Sequence, residues 1–150
     1  MADTYSQIYI HIVHSTLGRE PLISHEMKDE LCRYITGIIR QRGQKMISIN
    51  CVNDHIHYFI GLHPNVNVSD VVRDVKHFSS KFINEKHLCN CNFRWQDGFG
   101  AFSYSHSQIP VVSRYIEGQE EHHKRQSFHD EYIKMLEAFG IKYDPKYLLG

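Results

Sequence analysis

Two short runs carry residues whose types and spacing suit chemistry: Asp54-His55-Ile56-His57 and Tyr115-Ile116-Glu117-Gly118-Gln119. Side chains alternate across a β-strand, so on a strand His55 and His57 project side by side with Ile56 buried behind them, and one divalent ion can bridge both imidazoles. Residues four apart on a helix share a face, so Tyr115 and Gln119 bring a phenol and an amide oxygen to the same place. Together the two runs outline a metal-assisted tyrosine nucleophile acting on a phosphodiester. A phenol with a reference pKa near ~10 attacks poorly at neutral pH unless its proton is removed or its attack is aided electrostatically. Mg²⁺ or Mn²⁺ would give that aid; nitrogen ligands suit Mn²⁺ and cellular abundance favours Mg²⁺.

The surrounding pattern supplies elements to hold these residues. Residues 5–14 alternate Ile8, Ile10 and Ile12 against Tyr9, His11 and Val13, the period of a strand with two differing faces. From Ser24 to Arg42 apolar residues recur at helical spacing, with Ser24 as a candidate cap and Gly43 as a stop. Lys45 to Val52 and His55 to Leu62 read as strands joined by a tight Asn53-Asp54 turn, with the histidine pair opening the second. Val68 to Ile83 forms a second amphipathic helix, and residues 92–105 an aromatic strand interrupted by Gly98 and Gly100, a bulge or a close backbone approach. A third helix starts near Ser107, buries Ile109, Val112 and Ile116, and carries Tyr115 with Gln119. A short helix over 128–139 and a tail or docking arm over 140–150 complete the chain. The order β-α-β-β-α-β predicts an α+β fold, a ferredoxin-like antiparallel sheet with helices on one face and the tyrosine-bearing helix near the histidine strand.

At 150 residues and 41% apolar composition, one domain with its own core is expected over 1–150. No apolar run is long enough for a membrane span and the N-terminus lacks the pattern of a secretion signal, so a cytoplasmic location is expected. The four cysteines have neither zinc-ribbon nor disulfide-framework spacing. Seventeen basic and 17 acidic residues balance, which argues against broad non-specific coating of nucleic acid and for a local binding surface.

On these runs the sequence resembles the single-tyrosine HUH transposases of small bacterial insertion sequences and their REP-associated tyrosine transposase relatives, HUH denoting histidine, hydrophobic residue, histidine. The likeness extends over the opening strand Tyr5 to His14, the 54–57 run, the helix from Ser69 to Lys76, the segment Trp95 to Ser103, and the 115–119 run. It implies that His55, His57 and Gln119 are metal ligands and that Tyr115 is the nucleophile. It also implies a single-stranded DNA substrate with hairpin ends, a 5′-phosphotyrosine intermediate and no nucleotide cofactor, in keeping with the lack of a phosphate-binding loop motif. The implied assembly is a homodimer with composite active sites, the tyrosine helix of one subunit completing the histidine pair of the other.

Several residues have two readings. Arg73, Lys76, Lys81, Arg94 and Arg114 are candidate DNA phosphate contacts or ordinary solvated positions. Trp95 stacks on a base or packs in the core, and Asp54 orients a histidine or caps its turn. His122 and His123, beyond Gln119, assist proton transfer or lie at the surface. Gly118 costs about 1 kcal/mol inside a helix relative to alanine, and would loosen it between nucleophile and ligand. Two other functions fit parts of the sequence: a domesticated or replication-type HUH nuclease, and a non-catalytic ferredoxin-like nucleic-acid-binding module.

Overall fold

The alternating residues around His11 form β1, Tyr9–Ser15, in the computed structural model, which describes residues 3–148. β1 starts later than Tyr5 because Tyr9 is the first residue paired on both sides, with Gly61 and with Tyr104. Tyr5 lies outside the ladder and is fully exposed. Helix α1, Lys28–Gln41, buries Leu31, Ile35, Ile38 and Ile39. It also starts later than expected: the Ser24 hydroxyl accepts from the Met27 N–H at 3.3 Å, which closes a turn ahead of the helix instead of capping it. Gly43, with φ of +74°, turns the chain just past α1, a backbone shape that glycine adopts cheaply.

β2, Lys45–Cys51, and β3, His55–Gly61, form the expected hairpin, closed by the Val52 N–H on the His55 carbonyl at 3.1 Å. α2, Val68–Glu85, is capped by the Asn67 side chain, which accepts from the Ser69 N–H at 2.8 Å. β4, Gly100–Tyr104, completes an antiparallel sheet in the order β2-β3-β1-β4, the ferredoxin-like topology. α1 and α2 cover one face, packing on Ile12, Ile56, Tyr58 and Ile60. Each such aliphatic side chain contributes about 1.5–3 kcal/mol when fully buried.

The alternate residues of the same strands face the other way. There α3, Ile109–Glu117, seats Val112 and Ile116 on Phe59. α4, Gln119–His122, follows it, and α5, Phe128–Ala138, lays Phe128, Tyr132 and Leu136 over Val13 and Phe102. Leu148 joins that cluster, so the tail folds back onto its own chain; residues 149 and 150 of the expected arm lie outside the described residues.

The single helix expected to carry both Tyr115 and Gln119 is in fact two, bent at Gly118 (φ −87°, ψ 13°). The Asn50 amide of β2 donates to the carbonyls of Ile116 at 2.9 Å and Glu117 at 3.2 Å, partnering groups that a helix end leaves free. A local cost of glycine and a distant cap thus act at one point.

At Gly100 side chains crowd in, in place of the backbone approach expected for this segment: a Cβ there would lie 2.8 Å from Tyr132 Cε1 and 2.9 Å from Val13 Cγ1. Gly100→Ala is therefore expected to push α5 off the sheet and to destabilise the protein by about 1–3 kcal/mol. Denaturant unfolding measures this, and an unchanged midpoint would contradict the packing described.

Candidate active site

β3 turns His55 and His57 toward α3–α5, both fully buried, while Ile56 enters the core behind them. Each ring has a partner at Nδ1. Asp54 Oδ1 lies 2.7 Å from His55 Nδ1, and His11 Nε2, from the neighbouring β1, lies 2.8 Å from His57 Nδ1. Of the two readings of Asp54, the structure thus supports orientation of the histidine. With the Nδ1 atoms engaged, both Nε2 atoms point to a common spot.

Glu131 of α5 occupies that spot. Its Oε1 is 3.0 Å from His57 Nε2, 3.1 Å from His123 Nε2 and 3.5 Å from His55 Nε2. Gln119 Oε1 is 3.4 Å from His55 Nε2. Tyr115 reaches the same carboxylate from α3, its hydroxyl donating to Glu131 Oε2. Ligand atoms of His55, His57, His123 and Glu131 all lie within 4.8 Å of one another. Imidazole nitrogens with a carboxylate oxygen are a donor set that fits a divalent ion.

The charges follow from burial and partners. Burial alone would raise the Glu131 pKa, yet hydrogen bonds from His123, His55 and His57 hold it far below the usual carboxylate range, so it is ionised. Burial lowers His57 to about 4 despite the pull of Glu131, leaving a neutral ring at pH 7. For His55 burial acts downward, but the hydrogen bonds to Asp54 and Glu131 outweigh it and raise its pKa. Burial, then the charge of Glu131, pushes the Tyr115 phenol well above its ordinary value, so it stays protonated.

The Tyr115 ring stands edge-on to His57, with centroids 5.9 Å apart, and His122 lies over its other side at 4.9 Å. A cavity of about 340 Å³, bordered by His11, Tyr104, Val112, Tyr115, Glu131 and Phe139, opens beside the phenol. Tyr104 shares this cavity, but Gln108, four residues on, is exposed, whereas Gln119 is buried against His55.

All four residues singled out in the two runs therefore converge, although Tyr115 and Gln119 arrive from different helices. His123 is no surface residue: its side chain is only 11% exposed and turned inward to Glu131, while His122 is exposed. Glu131 and His11 went unnoticed in the sequence. One signal was present: Glu131 falls between Phe128 and Tyr132 on the apolar stripe of α5, where an acid is out of place.

The candidate DNA contacts divide. Arg73, Lys76, Lys81 and Arg94 line one open groove of about 710 Å³ along α2, and Arg114 is exposed on α3. Lys76, however, spends its ammonium on the carbonyls of Gln96 and Gly98, the first at 2.7 Å, and burial lowers its pKa to about 8; it tethers a loop and is poorly placed as a phosphate contact. Arg73 is held by Asp70 at 3.2 Å and Asp74 at 3.3 Å, and Lys81 lies 3.9 Å from Glu85. Trp95 packs in the core, with its indole N–H donating to Ser79 Oγ at 2.9 Å.

Residues 4–119 match the IS200-like transposase family, and no curated protein matches the chain. Two solved structures share the fold. One is a candidate transposase of Deinococcus radiodurans R1, with TM-score 0.62 and 21% identity over 79% of this chain and 96% of that one. The other is a REP-associated tyrosine transposase bound to a REP hairpin, with TM-score 0.57 and 17% identity over 82% of this chain and 74% of that one. The family match runs from ahead of β1 to Gln119, taking in the histidine pair and the tyrosine helix, and on that match the chain belongs to the IS200-like transposase family.

Proposed function

We propose that this transposase cleaves and rejoins single-stranded DNA bearing hairpin ends, with Tyr115 as the nucleophile. The observation that carries the reading is the convergence of the Tyr115 hydroxyl, the Gln119 amide oxygen and the His55 and His57 Nε2 atoms on one buried point. His55, His57 and Gln119 would hold Mg²⁺ or Mn²⁺, which supplies positive charge against the phosphate oxygens. Tyr115 Oη forms a bond to phosphorus as the bond from phosphorus to the 3′ oxygen breaks. The phenol gives up its proton to water and the leaving 3′ oxygen takes one from water, so the products are a 5′-phosphotyrosine and a 3′-OH. Because the phosphoester is conserved on Tyr115, a second 3′-OH reverses the step and joins a new strand without a nucleotide cofactor.

The bend at Gly118 lets Tyr115 shift relative to Gln119, as strand exchange requires. Within one chain the phenol already meets its own histidine cluster, which allows a cut in cis, while a homodimer with composite active sites would serve the exchange of strands. Arg94, Arg73, Lys81 and Arg114 are the side chains offered for phosphate contacts. Hairpin recognition is supported by the fold shared with a protein bound to a REP hairpin. No described helix is long and apolar enough to cross a membrane, and the cytoplasm is where such a DNA substrate is met.

Labelled single strands from the DNA flanking the gene are expected to be cut with Mn²⁺ or Mg²⁺, and the same sequences as full duplex are not. His55→Ala with His57→Ala should abolish cutting while binding to the strand survives in a gel shift. Equal cutting of duplex, or undiminished cutting by the double variant, would overturn the reading. Asp54→Ala should free the His55 ring and weaken Mn²⁺ binding by about 10–100-fold, the range found for partners that orient metal-bound histidines. Calorimetry reads this directly, and an unaltered affinity would show that Asp54 only shapes the turn.

A further inference from the structure

Glu131 lies beyond the segment that matches the family, on a helix that the histidine-tyrosine pattern does not contain. It is a carboxylate at 2% exposure on the stripe that packs α5 to the sheet. Burying a charge there costs several kcal/mol unless it is met on all sides, so its placement needs a compensating interaction. The structure supplies two, one for each oxygen.

At Oε1, three imidazole nitrogens come within 3.0–3.5 Å. Asp54 Oδ1, on His55 Nδ1, holds that ring with its Nε2 toward Oε1. Three imidazole nitrogens and a carboxylate oxygen lying within 4.8 Å of one another are a donor set that one divalent ion can share. At Oε2, the partner among the described residues is the Tyr115 hydroxyl.

We propose that Glu131 is a bridging carboxylate, its Oε1 joining His55, His57 and His123 as a ligand of the divalent ion and its Oε2 holding the Tyr115 hydroxyl beside that ion. The inference rests on the active-site reading above and adds to it two ligands, His123 and Glu131, and a tether from α5. It makes the distance between ion and nucleophile a property of one rigid side chain, so that metal binding sets the position of the phenol. Three imidazoles beside the Glu131 carboxylate and the Gln119 amide oxygen also prefer Mn²⁺ to Mg²⁺, since Mg²⁺ favours oxygen ligands.

The test uses the full-length chain and Mn²⁺ alone as the probe, by calorimetry, followed by single-turnover formation of the protein–DNA adduct at saturating Mn²⁺. Glu131→Gln preserves the shape of the side chain, and circular dichroism verifies that it has folded; His123→Ala, at a half-buried turn, is the second variant. Both should lower Mn²⁺ affinity by about tenfold or more. Glu131→Gln, but not Tyr115→Phe, should behave this way, because the phenol is tethered to the carboxylate and is no ligand itself. With Mn²⁺ restored to saturation, Glu131→Gln should still form adduct on the order of 10²-fold more slowly, the cost of a nucleophile misplaced by about 1 Å. Unchanged affinity in Glu131→Gln and His123→Ala, alongside loss of binding in His55→Ala with His57→Ala, would overturn the bridging role and leave the active site standing. Full adduct formation by Glu131→Gln at saturating Mn²⁺ would overturn the tether. Unchanged Mn²⁺ affinity in the double histidine variant would instead strike at the site reading itself.

Discussion

A carboxylate buried among three imidazoles and a phenol sets the terms for the rest of this molecule. Glu131 is stable there only while its neighbours stay within hydrogen-bonding reach, and those neighbours come from β3, from the turn after α4 and from α3. Losing these partners altogether would leave a buried charge uncompensated, a change that typically costs about 3–5 kcal/mol. The cluster therefore ties α3 and α5 to the sheet in one arrangement, and the hydrophobic contacts of Val112, Ile116, Phe128 and Leu136 are laid around it.

The sheet divides its work by face. One side carries an ordinary aliphatic core under α1 and α2, built from Ile12, Ile56 and Ile60. The other side carries His11, His55 and His57 beside Val13 and Phe59, a polar patch sealed by apolar neighbours. Period-two alternation is what allows both on the same two strands, β1 and β3. Stability thus comes largely from one face, which leaves the other free to hold imidazoles whose pairing is chosen for chemistry. The tyrosine helix sits on the second face and is held at its C-terminal end by Asn50, so Tyr115 is positioned from the sheet although it belongs to a helix.

What was legible in the sequence is what depends on neighbours along the chain. The spacing of His55 and His57, the hairpin turn at Asn53-Asp54 and the helical period of α1 and α2 are local, and the fold class follows from their order. The extent of β1 was not legible, because a strand ends where its partners end, here at Gly61 and Tyr104. The start of α1 depended on which N–H the Ser24 hydroxyl would choose. Gly118 hinted at weakness between Tyr115 and Gln119, but the cap from Asn50 joins residues far apart in sequence. Glu131 is the largest omission: its role exists only once α5 lies across the histidine strand, and only its misfit with an apolar stripe pointed to it. Conversely Lys76 read as a basic surface residue and is a loop tether, since two carbonyls took its ammonium.

On the mechanism proposed, Tyr115 attacks the DNA and no other phenol does. Tyr104 is the informative rival, since it borders the same cavity and has Gln108 four residues after it, though that glutamine faces solvent. Peptide mapping by mass spectrometry of the stalled protein–DNA adduct decides between them. A DNA-linked peptide containing Tyr115, joined through the 5′ end of the downstream strand, is the outcome expected; a linked peptide containing Tyr104 would rule Tyr115 out as the nucleophile.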